Sequence, residues 1–209
     1  MKSYNQYCGL AKALDLVGDR WSLLIVREIL ARGSCRYVDV KNGLPGIATN
    51  LLANRLRELE KCGIIRRVDA GPPVSTHLFE LTERGRGLEA VIEQLGRWAA
   101  PAMVQPAERD TFQSHWMTVP LRFYLRDRKP EDPPATIELR VGDEPLTIDL
   151  ADGDVRIASR AAANPSLIIE GPPQVVMRLL RRQLPLDDAR RRGTRLSGDL
   201  SLLARIEGV

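Results

Sequence analysis

Histidine and cysteine are the scarce residues of this chain. Two histidines and three widely spaced cysteines among 209 residues offer no metal-ligand spacing, so neither a metal centre nor a disulfide framework is expected. The odd cysteine count fits a reducing cytoplasm. No apolar run approaches the ~20 residues that span a bilayer, and the opening MKSYNQYCGL lacks a signal-peptide core. Also missing are a Gly-x-Ser-x-Gly elbow, a Walker loop and a His-Glu-x-x-His helix, while His115 beside Trp116 reads as a surface or packed histidine. An enzyme or a bound cofactor is therefore not expected. What the chain does have is 44% hydrophobic and 28% charged residues, enough for one large or two small folded domains.

The net charge is +4, and its location is more informative than its size. Residues 36–67 hold seven basic side chains (Arg36, Lys41, Arg55, Arg57, Lys61, Arg66, Arg67) against three acidic ones (Asp39, Glu58, Glu60). The rest of the chain is formally balanced, so this stretch accounts for the whole excess. Such a local excess is the electrostatic footprint of a phosphate-binding element.

Two periodicities divide the chain. From Tyr7 to Met103 the pattern is mostly helical. Trp21 to Leu30 is apolar on nearly every side and predicts a buried central helix. Tyr37 to Val40 opens a short helix closed by Asn42-Gly43, and Leu44-Pro-Gly46 is a turn by composition. A strong helix follows over Ala48–Lys61, its Leu52, Leu56 and Leu59 on one face and Gly63 as its stop. The period then changes to two. Ile64–Asp69 and Thr76–Leu81 flank a proline-rich tip at residues 70–75, which predicts a hairpin. Thr82 is a plausible cap for a last helix carrying Leu88, Val91, Ile92, Leu95 and Trp98. Beyond a linker at 101–110, alternating strands dominate: 136–141, 145–150, 154–157 and 166–169. Gly142-Asp143 and Asp152-Gly153 read as tight hairpin turns. A helix opening at Pro172-Pro173 follows. An antiparallel sheet covered by one or two helices is expected, making the whole an α+β chain.

Helix, turn, strong helix and hairpin in this order predict a winged helix-turn-helix. Opposite the leucines of the strong helix lie Asn50, Asn54, Arg57 and Lys61. Asn pairs bidentately with adenine and Arg with guanine in the major groove. Thr49 at the helix start and Arg36, Arg66, Arg67, Thr76 and His77 around the wing are candidate contacts to DNA. Arg55 falls among the leucines, so it is expected half-buried, pairing with a carboxylate such as Asp39 or with a backbone carbonyl.

The run Cys8-Gly-Leu-Ala-Lys-Ala-Leu-Asp-Leu-Val-Gly-Asp-Arg-Trp21 is continued by Leu23–Leu30, Arg36-Tyr37, Leu44-Pro-Gly-Ile47, Leu52–Glu60 and Leu81-Thr-Glu-Arg-Gly85. In this order these motifs resemble the HxlR-type regulators. The resemblance implies a bacterial, MarR-like winged-helix domain over residues 1–105 that dimerises through its terminal helices. It also implies a recognition helix bearing Asn50, Asn54 and Arg57, and a wing at 66–77. Ala48 departs from the serine that caps this helix in many relatives, and Thr49 is expected to take over the cap. A cysteine at the position of Cys8 is common in the family, and some members sense oxidants or electrophiles with it. Reactivity needs an exposed thiolate, for which Lys12 would supply the charge; the tendency of free cysteines to be buried weighs toward an inert thiol. Cys35 and Cys62 read as structural.

Residues 112–209 need a separate account. The run from Asn164 to Leu180, then Gly193-Thr-Arg-Leu-Ser-Gly-Asp-Leu200, is similar to the end of sterol-carrier-protein-like domains. That resemblance implies a five-stranded sheet and helices around an apolar tunnel. Phe112, Trp116, Phe123, Leu139, Ile148, Ile157, Val176, Met177 and Leu180 are candidates to line it, or equally to form a plain core. The expected function is a cytoplasmic homodimeric repressor that reads a pseudo-palindromic double-stranded DNA operator and responds to an apolar small molecule, without a membrane. The alternatives are a thiol sensor acting through Cys8, and a lipid-binding or interaction protein with a vestigial winged helix.

Overall fold

The structure, a computed structural model, describes residues 3–71, 76–103 and 110–208. The chain forms two units, Met1–Arg109 and Asp110–Val209. Residues 72–75 of the expected hairpin tip and 104–109 of the expected linker lie outside the described residues.

The first unit runs α1 (Gly9–Val17), α2 (Ser22–Arg32), β1 (Cys35–Arg36), α3 (Tyr37–Asn42), α4 (Thr49–Lys61), β2 (Ile65–Asp69), β3 (His77–Leu81), α5 (Glu83–Arg86) and α6 (Leu88–Ala99). Its core is made by Ile25, Val26 and Ile29 of α2 with Leu52, Leu56 and Leu59 of α4, all at 1% exposure or less. This is the burial that the apolar α2 and the leucine face of α4 call for. Gly63 ends α4 in the left-handed conformation at φ 67°. Ile64 N–H reaches the Leu59 carbonyl and Gly63 N–H that of Glu60, the paired bonds of a Schellman stop. β3 lies between β1 and β2 in a three-stranded sheet. Both pairings are antiparallel, with Arg67 opposite Phe79. Thr82 caps as expected, its hydroxyl accepting from Gly85 N at 3.0 Å. That cap serves only the short α5, because the chain breaks at Gly87 before α6. The glycine of Leu81-Thr-Glu-Arg-Gly85 is required by packing, since a Cβ there would sit 2.0 Å from the Ile64 carbonyl oxygen.

The second unit runs α7 (Thr118–Tyr124), β4 (Leu125–Asp127), β5 (Ala135–Arg140), β6 (Leu146–Ala151), β7 (Asp154–Ala158), β8 (Leu167–Glu170), α8 (Pro173–Leu180), α9 (Leu186–Arg191), β9 (Arg195–Gly198), α10 (Leu202–Arg205) and β10 (Ile206–Gly208). Five strands form one sheet in the order β7-β6-β5-β8-β9. It is mixed, not antiparallel: β8 runs parallel to β5, with Ile137 beside Leu167 and Leu139 beside Ile169. Alternation has period two in both kinds of pairing, so the sequence pattern carries no strand direction. Asp152 and Gly153 do form a two-residue turn, with φ of 53° and 81°, as a type I′ hairpin needs. The Gly142-Asp143 turn is looser, since residues 141–145 separate β5 from β6. Inside, Ile137, Leu139, Val141, Leu146, Ile148 and Leu150 pack against Leu121 of α7 and Val176 and Leu180 of α8. A smaller cluster of Val175, Leu179, Leu184 and Ala189, with Leu186 and Leu196 against it, holds α8, α9 and β9 together.

Candidate nucleic-acid interface

α4 presents its polar face to solvent. Thr49, Asn50, Asn54, Arg57 and Lys61 are all exposed while the leucines behind them are buried. Positions 50, 54, 57 and 61 follow helical spacing, so their side chains share one stripe. Arg57 Nη2 donates to Asn54 Oδ1 across one turn. Asn50 Oδ1 accepts from Leu51 N at 2.8 Å. Helix α4 begins at Thr49 with Ala48 as its cap residue, and no side chain closes that cap. Thr49 therefore does not replace the missing serine. Its position inside the first turn leaves its hydroxyl and the first backbone N–H groups available to a phosphate.

Between α4 and the wing lies a groove of about 480 Å³ lined by Tyr37, Ala53, Leu56, Arg57, Arg67, Thr76, His77 and Phe79. It brings together four expected contact residues, Arg57, Arg67, Thr76 and His77. Asn54 joins them through Arg57, and Thr49 through Tyr37, whose hydroxyl donates to the Thr49 carbonyl at 2.8 Å. Arg67 stacks over the Phe79 ring at 5.5 Å and pairs with Glu60 at 3.2 Å. His77 Nδ1 lies 2.7 Å from Asp69. Arg66 is exposed too but bonds Glu80 at 3.0 Å and does not line the groove. Arg36 stands on β1, at the sheet edge opposite β2, and its N–H donates to Asp39 at 2.8 Å. The role of Tyr37 was not legible in sequence, although Arg36-Tyr37 belongs to the family motif.

Two of the seven basic residues are used internally. Lys41 donates to the Ile47 carbonyl. Arg55 is 17% exposed and pairs with carboxylates, as its wheel position required, the partners being Asp19 and Glu58 in place of Asp39. Asp39 is already held by the Arg36 backbone. The cations left at the surface are Arg36, Arg57, Lys61, Arg66 and Arg67. Of these, Arg66 and Arg67 pair with the half-exposed Glu80 and Glu60, pairs individually worth ~1 kcal/mol or less, so phosphates can compete for them.

The HxlR-like helix-turn-helix family matches residues 16–106. Over 89 residues the chain is 34% identical to YvaP of Bacillus subtilis, an uncharacterized HTH-type transcriptional regulator, covering 42% of this chain and 81% of YvaP. The chain belongs to the HxlR-like family. A second HxlR-like relative, the HTH-type transcriptional regulator YodB of Bacillus subtilis, is 36% identical over 91 residues, 43% of this chain and 80% of YodB. A third, Rv3095 of Mycobacterium tuberculosis, is an uncharacterized HTH-type transcriptional regulator 38% identical over 97 residues, 46% of this chain and 60% of its own length. The HxlR-like unit is thus that of a DNA-binding transcriptional regulator, as the relatives it matches are transcriptional regulators. Among the described residues no helix is long and apolar enough to cross a membrane.

Cys8 stands just ahead of α1 and is exposed, not buried. The backbone N–H groups of Ala11 and Leu10 at the start of α1 pull its thiol below the usual range, as a helix N-terminus does. Lys12 plays no part in this and lies 3.8 Å from Asp15. Cys35 is buried, and desolvation pushes its thiol up to about 12. In the second unit, Leu139, Ile148, Ile157, Val176 and Leu180 are core residues and Met177 packs against them. Trp116 and Phe123 are half-buried, while Phe112 is 40% exposed.

Proposed function

We propose that the protein is a homodimeric repressor whose two α4 helices read a pseudo-palindromic operator. Asn50, Asn54 and Arg57 meet base edges, while Thr49, Lys61, Arg36, Arg66, Arg67, Thr76 and His77 hold the backbone. The observation that carries the dimer is the state of α6. This 12-residue helix is amphipathic yet buries no residue, and Val91, Leu95 and Trp98 stand 44%, 47% and 82% exposed. α1 likewise exposes Leu10 at 69% and Leu14 at 40%. An apolar stripe of this extent calls for a partner, and a second copy gives a closed two-fold interface. Two recognition helices about one DNA turn apart follow from that symmetry.

The second unit supplies the effector response in this reading, as a sterol-carrier-protein-like domain over residues 112–209. Its apolar core, with half-exposed Phe112, Trp116 and Phe123, supports an apolar occupant. Such an effector acts only if it binds one helix spacing better than another. Native mass spectrometry of the full chain tests both points, with a dimer carrying an apolar guest expected. A monomer removes the dimer, and a guest-free dimer whose operator affinity no apolar compound changes removes the effector. A second reading rests on the exposed, acidified Cys8 thiol. Oxidation or alkylation there would change operator affinity, and Cys8→Ser would abolish that response.

A further inference from the structure

The charge balance of the second unit hides a strong separation. Residues 110–209 hold fifteen basic and fifteen acidic side chains. Within them, 178–195 carries seven arginines (178, 181, 182, 190, 191, 192 and 195) against Asp187 and Asp188, a formal +5. The remainder of the unit is therefore −5. The fold keeps much of the two apart: Asp149, Asp152 and Asp154 sit on or beside β6 and β7 at one end of the sheet and β9 is the edge strand at the other, where Glu170 and Asp199 are the acids beside it. The small core of Val175, Leu179, Leu184, Ala189, Leu186 and Leu196 ties α8, α9 and β9 into one piece. Six of the arginines stand exposed around it, all but Arg181, which covers the Tyr124 ring at 4.0 Å.

Among the described residues, carboxylates pair with only three of these six exposed arginines. Asp187 and Asp188 pair with Arg190 and Arg191, and Glu170 lies 4.0 Å from Arg195. Among the described residues, Arg178, Arg182 and Arg192 have no carboxylate within ion-pair range. Arg178 and Arg182 reach only the carbonyls of Gln183 and Ala204, at 3.5 and 3.3 Å.

Arg182 adds an observation independent of charge. α8 closes on a Schellman stop: Arg182 N–H bonds the Leu179 carbonyl at 3.0 Å and Gln183 N–H that of Arg178 at 2.8 Å. The residue between must be left-handed, and Arg182 is, at φ 54°. α4 and α9 close in the same way on glycines, Gly63 and Gly193. At the third stop the chain holds an arginine in a conformation that strains any Cβ. A strained position kept against the easier residue points to use of its side chain.

We infer that the arginine surface of α8, α9 and β9 is a second phosphate-backbone site, which grips the DNA duplex beyond the reach of the winged helix. Guanidinium forks match phosphate oxygens bidentately. This inference rests on the proposed reading in which α4 of the same chain binds a duplex; a second contact to that duplex is then intramolecular. The exposed polar groups of this surface are mostly arginines, which meet phosphates, so it adds affinity with little sequence preference.

The test compares wild type with Arg178→Gln/Arg182→Gly/Arg192→Gln in the full chain. Each binds two random-sequence duplexes, one only as long as a winged-helix dimer footprint and one extended at both ends. The expected result is a loss confined to the long duplex, about tenfold or more, with a salt slope shallower by ~2–3 at ~0.9 per phosphate contact. Arg57→Ala should weaken both duplexes, which reports on the winged helix separately. Arg182→Gly alone should raise the unfolding temperature while weakening the long duplex, so misfolding cannot explain the loss. Equal binding of the long duplex by wild type and triple variant overturns the inference, as does an equal loss on both duplexes. It also falls if the triple variant loses binding to phosphatidylserine vesicles but keeps its hold on DNA.

Discussion

Arg57 and Asn54 are bonded to each other on the exposed face of α4, guanidinium to amide oxygen across one turn of the helix. This bond ties both side chains together along the exposed stripe of α4, and the Asn54 NH₂ stays available as a donor. Asn54→Ala and Arg57→Ala should each cost ~1–3 kcal/mol of specific operator binding. The double variant should lose less than the sum, because each single change already releases its partner. A double-mutant cycle by fluorescence anisotropy checks this, and strict additivity would count against the pair acting together.

The α6 face gives a prediction about assembly. Leu95 and Trp98 are exposed in one copy, so Leu95→Glu/Trp98→Glu should leave the fold of the unit intact, within ~0.5 kcal/mol per change. Sedimentation should nevertheless find a monomer, and operator affinity should fall with it. A variant that still sediments as a dimer moves the interface elsewhere.

Asp127 and Arg205 form the buried ion pair of the second unit, with bonds of 2.9 and 2.7 Å and side chains 0% and 3% exposed. Arg205 also donates to the Pro133 carbonyl at 2.6 Å. The pair joins β4 to the end of α10, beside the pairing of β4 with β10. Arg205 holds the Asp127 carboxyl below the ordinary range, against the opposing effect of burial. A depressed folded pKa stabilises above the unfolded value near ~3.9. That contribution is full above about pH 5 and disappears as pH falls through the folded value. Asp127→Asn should cost ~3–5 kcal/mol by leaving Arg205 buried and unpaired. Denaturant titrations at a series of acid pH values should show the wild-type unit losing stability there, with the variant's loss smaller.

The three thiols should react in a fixed order with iodoacetamide near neutral pH. Cys8 is exposed and acidified, Cys62 is half-buried, and Cys35 is buried with its thiol pushed up to about 12. Cys8 should be alkylated first and Cys35 only on unfolding, read by mass spectrometry of time points. Early modification of Cys35 would mean that the α2–β1 core opens far more readily than its burial implies.

Much of the first unit was legible in the sequence because its signals are local. The leucine face of α4, the Gly63 stop, the Thr82 cap and the alternation of the wing each follow from a few neighbouring residues. So does the exposed stripe of Asn50, Asn54, Arg57 and Lys61, since burying one face of a helix exposes the other. Arg55 shows where this ends. Its half-burial came from the helical wheel, but its partner Asp19 lies 36 residues away and no pattern marks it. The parallel β5–β8 pairing was likewise hidden, because period-two alternation is the same in either direction.

The sequence by itself determined the periods, the stops and the total charge, and with its ordered motifs the HxlR-like family. Those properties depend on spacing along the chain, which sequence records directly. Only the tertiary structure decided which charges remain at the surface, that Cys8 is exposed, and that α6 has nothing covering its apolar face. It also placed six exposed arginines, which the sequence count had set against acids elsewhere in the unit, around one small core between α8, α9 and β9. Charge cancels in a sum over the whole chain, but a phosphate responds to the charges within a few ångströms of it. Folding determines which charges those are.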